Sequence, residues 1–313
     1  MGASTTNRVA TSRLQRALQR CFSYLVLMAA GCAGVLGCST LPTRQVVFPP
    51  GTLAAEALPP PGAVVMVLSA ASEQTLADGS KRRTGVFLNE FYEPYRALVG
   101  AGYEVVIATP GGRPPVWDPE SLEPSYWKKH PGALAEAQAL VATLPALLAP
   151  LPLSEVRARA AAFQALLVPG GQGVMVDLLH DTDLQGLLLD FGATDRPVGL
   201  VCHAPALLTR LPVDQSPFLG RRVTSVSGFE EWYIETFVMG KRAQVREIGE
   251  QLDAAGYLHE TAFPGRSRAV RDCSLVTSQN PFSGEDFNTL FLAALADWRK
   301  AGRCGEPPPR ASR

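Results

Sequence analysis

The chain has 313 residues, 46% of them hydrophobic, and its 29 basic side chains balance 29 acidic ones to a formal net charge of +0. Past the N-terminal segment the longest basic run is Lys81-Arg82-Arg83, so the sequence lacks the electrostatic footprint of a nucleic-acid binder. Residues 63–302 lie between two atypical ends and suffice for one large domain with a substantial core.

Arg8, Arg13, Arg16 and Arg20 precede an apolar run over 24–30, and no acidic residue accompanies them. That order is an export signal, and the run falls short of the ~20 residues that a spanning helix needs. It stops at Cys32 and Cys38, each in a setting similar to the lipobox of bacterial lipoproteins, and Val35 favours Cys38 as the lipidated residue. The expectation is a signal peptide over 1–38 and an exported protein, periplasmic or at the outer membrane, held to a bacterial membrane by a lipid anchor. Six prolines within 39–62 predict an extended tether, and Pro307, Pro308 and Pro309 predict a disordered tail over 303–313. Of the six cysteines, Cys202, Cys273 and Cys304 remain in the mature domain. A Cys273–Cys304 disulfide would leave Cys202 free, although spacing alone does not establish the pairing.

Apolar runs at 64–68, 105–108, 165–168, 198–201 and 275–277 are continuous rather than alternating, as in strands buried on both faces. Helical stripes lie between and after them: Phe87, Phe91, Tyr95 and Leu98; then Leu134, Leu140, Leu144, Leu147 and Leu148; and finally Phe287, Leu290, Phe291, Ala294, Leu295 and Trp298. The alternation predicts an α/β fold, a three-layer α/β/α sandwich with a mainly parallel sheet.

In such a sheet ligands bind at the carboxyl ends of the strands, so the strand exits carry the chemistry. Pro-Gly-Gly-Gln-Gly at 169–173 has neither the lysine of a phosphate loop nor G-x-G-x-x-G spacing, so no nucleotide cofactor is expected. It reads either as a tight turn or as backbone N–H groups at Gly170 and Gly171 that stabilise an oxyanion. After Val201, Cys202 and His203 run straight into a helix-forming segment. A side chain at such an elbow is pushed out of the sheet near a positive helix end, which predicts a readily ionised, nucleophilic thiol. His130, His180 and His259 lack zinc-ligand spacing and read as surface or structural residues, so no metal is expected. Trp117, Trp127 and Trp232 fit core packing or a pocket wall.

Four segments, in this order, resemble the DJ-1/PfpI superfamily and its heat-shock chaperone and glyoxalase III branch. They are Arg-Thr-Gly-Val-Phe-Leu-Asn-Glu at 83–90, Leu-Val-Pro-Gly-Gly-Gln-Gly at 167–173, Val-Cys-His-Ala-Pro at 201–205 and Leu-Val-Thr-Ser-Gln-Asn-Pro at 275–281. The resemblance implies a glutamine amidotransferase-like, flavodoxin-like fold with a nucleophile elbow, and residues 116–150 resemble the family's cap insertion. It makes Glu90 the proton-transfer partner of the Cys202 thiol and His203 the ring that manages the thiol's proton. The acid that orients His203 falls among Glu230, Glu231 and Glu235, with Glu231 chosen. Two positions depart from the pattern: Gln172 stands where many relatives have His, and Ala204 where they have Gly.

The implied activity is that of a cofactor-independent glyoxalase III-type lyase on a small carbonyl substrate, turning a 2-oxoaldehyde such as methylglyoxal into a 2-hydroxy acid. The alternatives are a holdase-type chaperone, or an amidase, peptidase or amidotransferase-like hydrolase. Relatives are commonly dimers, so a homodimer is the expected assembly.

Overall fold

The computed structural model describes residues 62–304. The export signal, the lipobox at Cys38 and nearly all of the tether lie outside the described residues. A central sheet of seven strands holds the core: β1 (Ala63–Val67), β4 (Glu104–Thr109), β5 (Leu151–Pro152), β6 (Phe163–Val168), β7 (Val198–Val201), β10 (Ala269–Asp272) and β11 (Leu275–Ser278). Their order is β10-β11-β7-β6-β1-β4-β5, and every neighbouring pair is parallel except β10 with β11. The hairpin of β2 (Glu73–Thr75) and β3 (Lys81–Arg83) and the pair of β8 (Arg222–Val223) and β9 (Leu258–His259) are separate ribbons. All five apolar runs are strands, and the buried patterns of β1, β7 and β11 explain why they do not alternate.

Helix α1 (Leu88–Gly100) packs beside the long last helix α8 (Gly284–Ala301), while α4 (Leu153–Ala158) packs beside α5 (Thr182–Ala193). The second helical stripe is broken at Leu144 into α2 (Ala133–Thr143) and α3 (Pro145–Leu148). Pro145 is the cause, because the residue before a proline is forced out of the helical region. The short helices α6 (Gly228–Tyr233) and α7 (Ile248–Ala254) complete the set. Gly199 in β7 lets α8 settle on the sheet, since a Cβ there would lie 2.7 Å from the Phe287 ring.

β1 sits between β6 and β4: the chain first adds β4 and β5 on one side of it and then crosses back to lay down β6 and β7 on the other. That switch point, at the carboxyl ends of β1, β6 and β7, is where an open α/β sheet leaves a crevice. The exits are locked together there. Ser69 Oγ and Ala70 N, just past β1, both bond to the Asp177 carboxylate at 2.7 and 2.8 Å.

Cys304, assigned from the sequence to the disordered tail, is instead bonded to Cys273 in a disulfide with Cα atoms 5.0 Å apart. Cys273 occupies the turn between β10 and β11, so the bond ties the end of α8 to the sheet edge. Closing a loop over this separation of 31 residues restricts the unfolded chain. Cys304→Ser is expected to lower the unfolding free energy by about 3 kcal/mol, read as a lower midpoint in urea denaturation.

Candidate active site

Cys202 stands at the exit of β7 with a φ of 59°, a left-handed conformation that non-glycine residues rarely adopt. The strained elbow is held by its surroundings: the Cys202 N–H donates to the Ser278 carbonyl at 2.8 Å, and its carbonyl accepts from Val226 N at 3.0 Å. His203 then caps a 3-10 helix over Ala204–Arg210, with Pro205 in its first turn.

Glu90 reaches the same point from the first turn of α1. What brings it there is a close approach of backbones. The Phe87 N–H donates to the Gly170 carbonyl and the Gly173 N–H to the Gly85 carbonyl, both at 3.2 Å. Gly171 has a φ of 104°, and a Cβ on it would lie 2.5 Å from the Gly85 oxygen. A Cβ on Gly170 would lie 2.6 Å from the Glu90 carboxylate and 2.8 Å from Cys202 Cβ. The glycines of 169–173 are therefore required by the 83–90 segment that they touch. Asn89 adds a tie to the last exit, donating to the Pro281 carbonyl at 3.1 Å.

The electrostatics correct the expectation of a readily ionised thiol. Burial pushes the Cys202 thiol well above its ordinary value, and the neighbouring Glu90 and Glu230 carboxyls push it further. The short helix behind it does not offset this. Burial also raises the Glu90 carboxyl to about 8. The Cys202 thiol and the Gly170 N–H face that carboxyl and draw it partly back, although neither oxygen makes a hydrogen bond of full geometry. His203 is pushed down to about 4 by burial alone, so its ring is neutral at neutral pH. The resting site is thus an uncharged one, a thiol, a carboxylic acid and a neutral imidazole in contact.

The residue facing the outer nitrogen of His203 is not Glu231. His203 Nδ1 lies 3.2 Å from Cys202 Sγ, and its Nε2 lies 3.1 Å from the Gln172 amide nitrogen. Glu231 accepts from Ile248 N at the start of α7, and Glu235 pairs with Arg246. Glu230 forms a capping box with Ser227 and is gripped by Gln279 at 3.0 Å and Asn280 at 2.9 Å. That grip is one role of the Ser-Gln-Asn-Pro segment, beside anchoring Cys202 N–H and Asn89 through its carbonyls. None of the three glutamates hydrogen-bonds the ring; Glu230 acts on the site through its charge. With its NH2 toward Nε2, Gln172 leaves the ring proton on Nδ1 facing sulfur; turned over, it would accept from Nε2–H and free Nδ1 to take the thiol proton.

Gly170 is not a free oxyanion donor, because its N–H faces the Glu90 carboxyl. Tyr126, from the 116–150 segment, packs edge-on against Phe87 with ring centres 5.0 Å apart and lies near enough to sense charge on Cys202. Nothing in its sequence neighbourhood marks it. Trp127 is core, Trp117 packs on Phe91, and Trp232 is exposed. His130 pairs at the surface with Glu285, His180 is exposed, and His259 meets Ser225 Oγ. Among the described residues, Asp195, Cys273 and Cys304 are grouped closely enough to ligate a metal, but both sulfurs are spent in the disulfide.

A model of the DJ-1/PfpI family matches residues 84–294, and the chain belongs to that family. It is 32% identical over 147 residues to the protein/nucleic acid deglycase HchA of Pseudomonas aeruginosa, a match covering 45% of this chain and 48% of that one. The chain thus spans about half the length of that relative. To the glutathione-independent glyoxalase hsp3101 of Schizosaccharomyces pombe it is 27% identical over 256 residues, covering 76% of this chain and 98% of the relative. The crystal structure of glyoxalase III from Candida albicans superposes with a TM-score of 0.62 at 24% identity, over 74% of this chain and 97% of that one, and shows the shared α/β fold.

Two outcomes follow from this geometry. Gly170→Ala is expected to lower stability by ~1–3 kcal/mol and to separate Glu90 from Cys202, read by urea denaturation and by a changed rate of thiol alkylation. Glu90 holds its proton more tightly folded than unfolded, so stability falls as pH rises from 4.5 to about 8. His203 has the opposite sign, with stability falling as pH drops from 6.5 to about 4. Glu90→Gln removes only the first slope. It should be more stable than wild type at pH 8, with the difference fading toward pH 4, and a difference constant across that range would refute the assignment.

Proposed function

We propose that the protein is a cofactor-independent glyoxalase III-type enzyme that converts a small 2-oxoaldehyde and water into a 2-hydroxy acid. The observation that carries the reading is the buried Glu90 carboxyl, poised near neutrality, against the only free thiol among the described residues. The names of the fungal relatives support it.

The steps use the groups in place. Glu90, once ionised, takes the Cys202 proton as sulfur bonds to the aldehyde carbon, and the proton passes to the former carbonyl oxygen to give a hemithioacetal. Glu90 then removes the hydrogen from C1 and returns it at C2, while neutral His203 carries the hydroxyl proton from the oxygen on C1 to that on C2. The product is a 2-hydroxy thioester. Water hydrolyses it, releasing the hydroxy acid and restoring the thiol. Because the thiol starts protonated, a deprotonated Glu90 is the natural acceptor, and no standing thiolate is needed.

A chaperone reading has one observation in its favour, the exposed aromatic surface of Phe229, Trp232 and Phe263, the last 74% exposed. Export and lipidation at Cys38 are inferred from the N-terminal sequence, and the Cys273–Cys304 disulfide agrees with an oxidising compartment. Among the described residues no helix is long and apolar enough to cross a membrane. A homodimer is inferred from the family alone.

With purified protein and a panel of 2-oxoaldehydes, amides and an aggregating client, hydroxy-acid formation is expected. Cys202→Ala should abolish it, and Glu90→Gln should lower kcat by ~10²–10⁴. Client protection that survives Cys202→Ala, with no aldehyde turnover in the wild type, would select the chaperone instead.

A further inference from the structure

Glu90 has a second neighbourhood besides the one facing sulfur. It lines a cavity of about 10 Å3 whose walls include Glu93, Val201, Ser278, Asn280 and Phe287, but neither Cys202 nor His203. That volume is at the lower limit for one water molecule. The Ser278 hydroxyl is buried without a hydrogen-bond partner in the protein, and the Glu90 carboxyl, which faces the Cys202 thiol and the Gly170 N–H, makes no hydrogen bond of full geometry with either. Asn280, by contrast, is fully used: its amide donates to Glu230 and the Arg266 carbonyl and accepts from Phe282 N and Ser283 Oγ. A water in the cavity would meet the unpaired Ser278 hydroxyl on one side and the under-satisfied Glu90 carboxyl on the other, which is the setting in which buried water is retained.

Glu93 stands three residues beyond Glu90, on the same side of α1. It lines the cavity and is only half-buried, so its side chain borders both the cavity and solvent. Gly284 leaves it room, since a Cβ there would collide with the Glu93 carboxylate. The titratable groups facing it are Lys129, His130 and Glu285 at the surface, and those bearing on Glu90 are Glu93, Glu230 and the Cys202 thiol.

We propose that Glu93 relays protons between Glu90 and bulk solvent through one water held by Ser278 in this cavity, at the back of the site, while a covalent adduct on Cys202 fills the front. The catalytic use of the relay rests on the glyoxalase reading. Glu90 must give up a proton before it can act as a base, and the relay accepts it: an O–H bond breaks at Glu90, the water passes a proton on, and one forms at Glu93. The two carboxyls are well matched for this, Glu93 being raised to about 7 by burial and Glu90 to about 8. Glu93 acts through Glu90 and does not touch substrate.

The test has two arms. In the first, the infrared carboxylic-acid band assigned to Glu90 by difference from Glu90→Gln is followed after mixing the unliganded protein into D2O. Its deuterium shift should be at least tenfold slower in Glu93→Gln than in wild type, and slower in Ser278→Ala, which keeps the backbone carbonyl that anchors Cys202. In the second, methylglyoxal is turned over in D2O, and the share of deuterium at C2 of the lactate should fall severalfold in Glu93→Gln. Exchange rates equal to wild type in both variants overturn the relay. The first arm needs no turnover, so a wild type that converts no 2-oxoaldehyde sinks the functional reading and leaves the relay to be decided by the infrared band.

Discussion

The site depends on one steric constraint, the absence of side chains at Gly170 and Gly171. Because these two residues carry no Cβ, the backbone leaving β6 can lie directly on the segment that opens α1, with Gly85 and Phe87 in hydrogen-bond contact. The helix therefore begins close enough to the elbow for a side chain in its first turn to reach sulfur. Any larger residue would move α1 outward, and the carboxyl would swing into water and regain an ordinary acidity. Acid strength at Glu90 is thus set by backbone packing, through the burial that this packing enforces.

That burial tunes the three reacting groups in a common sense, since each is driven toward its uncharged form. A neutral cluster suits an interior that would disfavour a lone thiolate. It also assigns the roles. The carboxyl, raised into the neutral range, is the group that can exchange a proton; the ring, pushed far below, stays neutral and passes protons between its two nitrogens. Gln172 is compatible with that duty because an amide can donate or accept at the ring and adds no further titratable group.

Much of this was legible in the sequence. The continuous apolar runs marked the buried strands, the abrupt end of the 198–201 run at Cys202 marked the elbow, and the four family segments led to Glu90. The less legible parts share a cause. Short strands such as β5, with two residues, and the β8–β9 pair exist only because a neighbour offers its edge, so they carry little periodic signal. Three glutamates between 230 and 235 look alike in sequence, and what separates them is a helix terminus for Glu231, an arginine for Glu235 and an amide clamp for Glu230. The acidity of Cys202 is not legible in the elbow motif, which reports only a helix end, whereas depth of burial outweighs it.

The sequence by itself determined which residues could do chemistry and at which strand exits they would stand, because strand burial and turn formation are encoded in local patterns. It also determined that one sulfur would be free if Cys273 and Cys304 paired. Only the tertiary structure decided that they pair, that Gln172 and not an acid faces the ring, and that Glu90 and Glu93 share a cavity with Ser278. Those outcomes are distances between segments up to about two hundred residues apart in the chain. They are set by how helices and sheet pack, and through packing by the dielectric surroundings that decide where each proton sits.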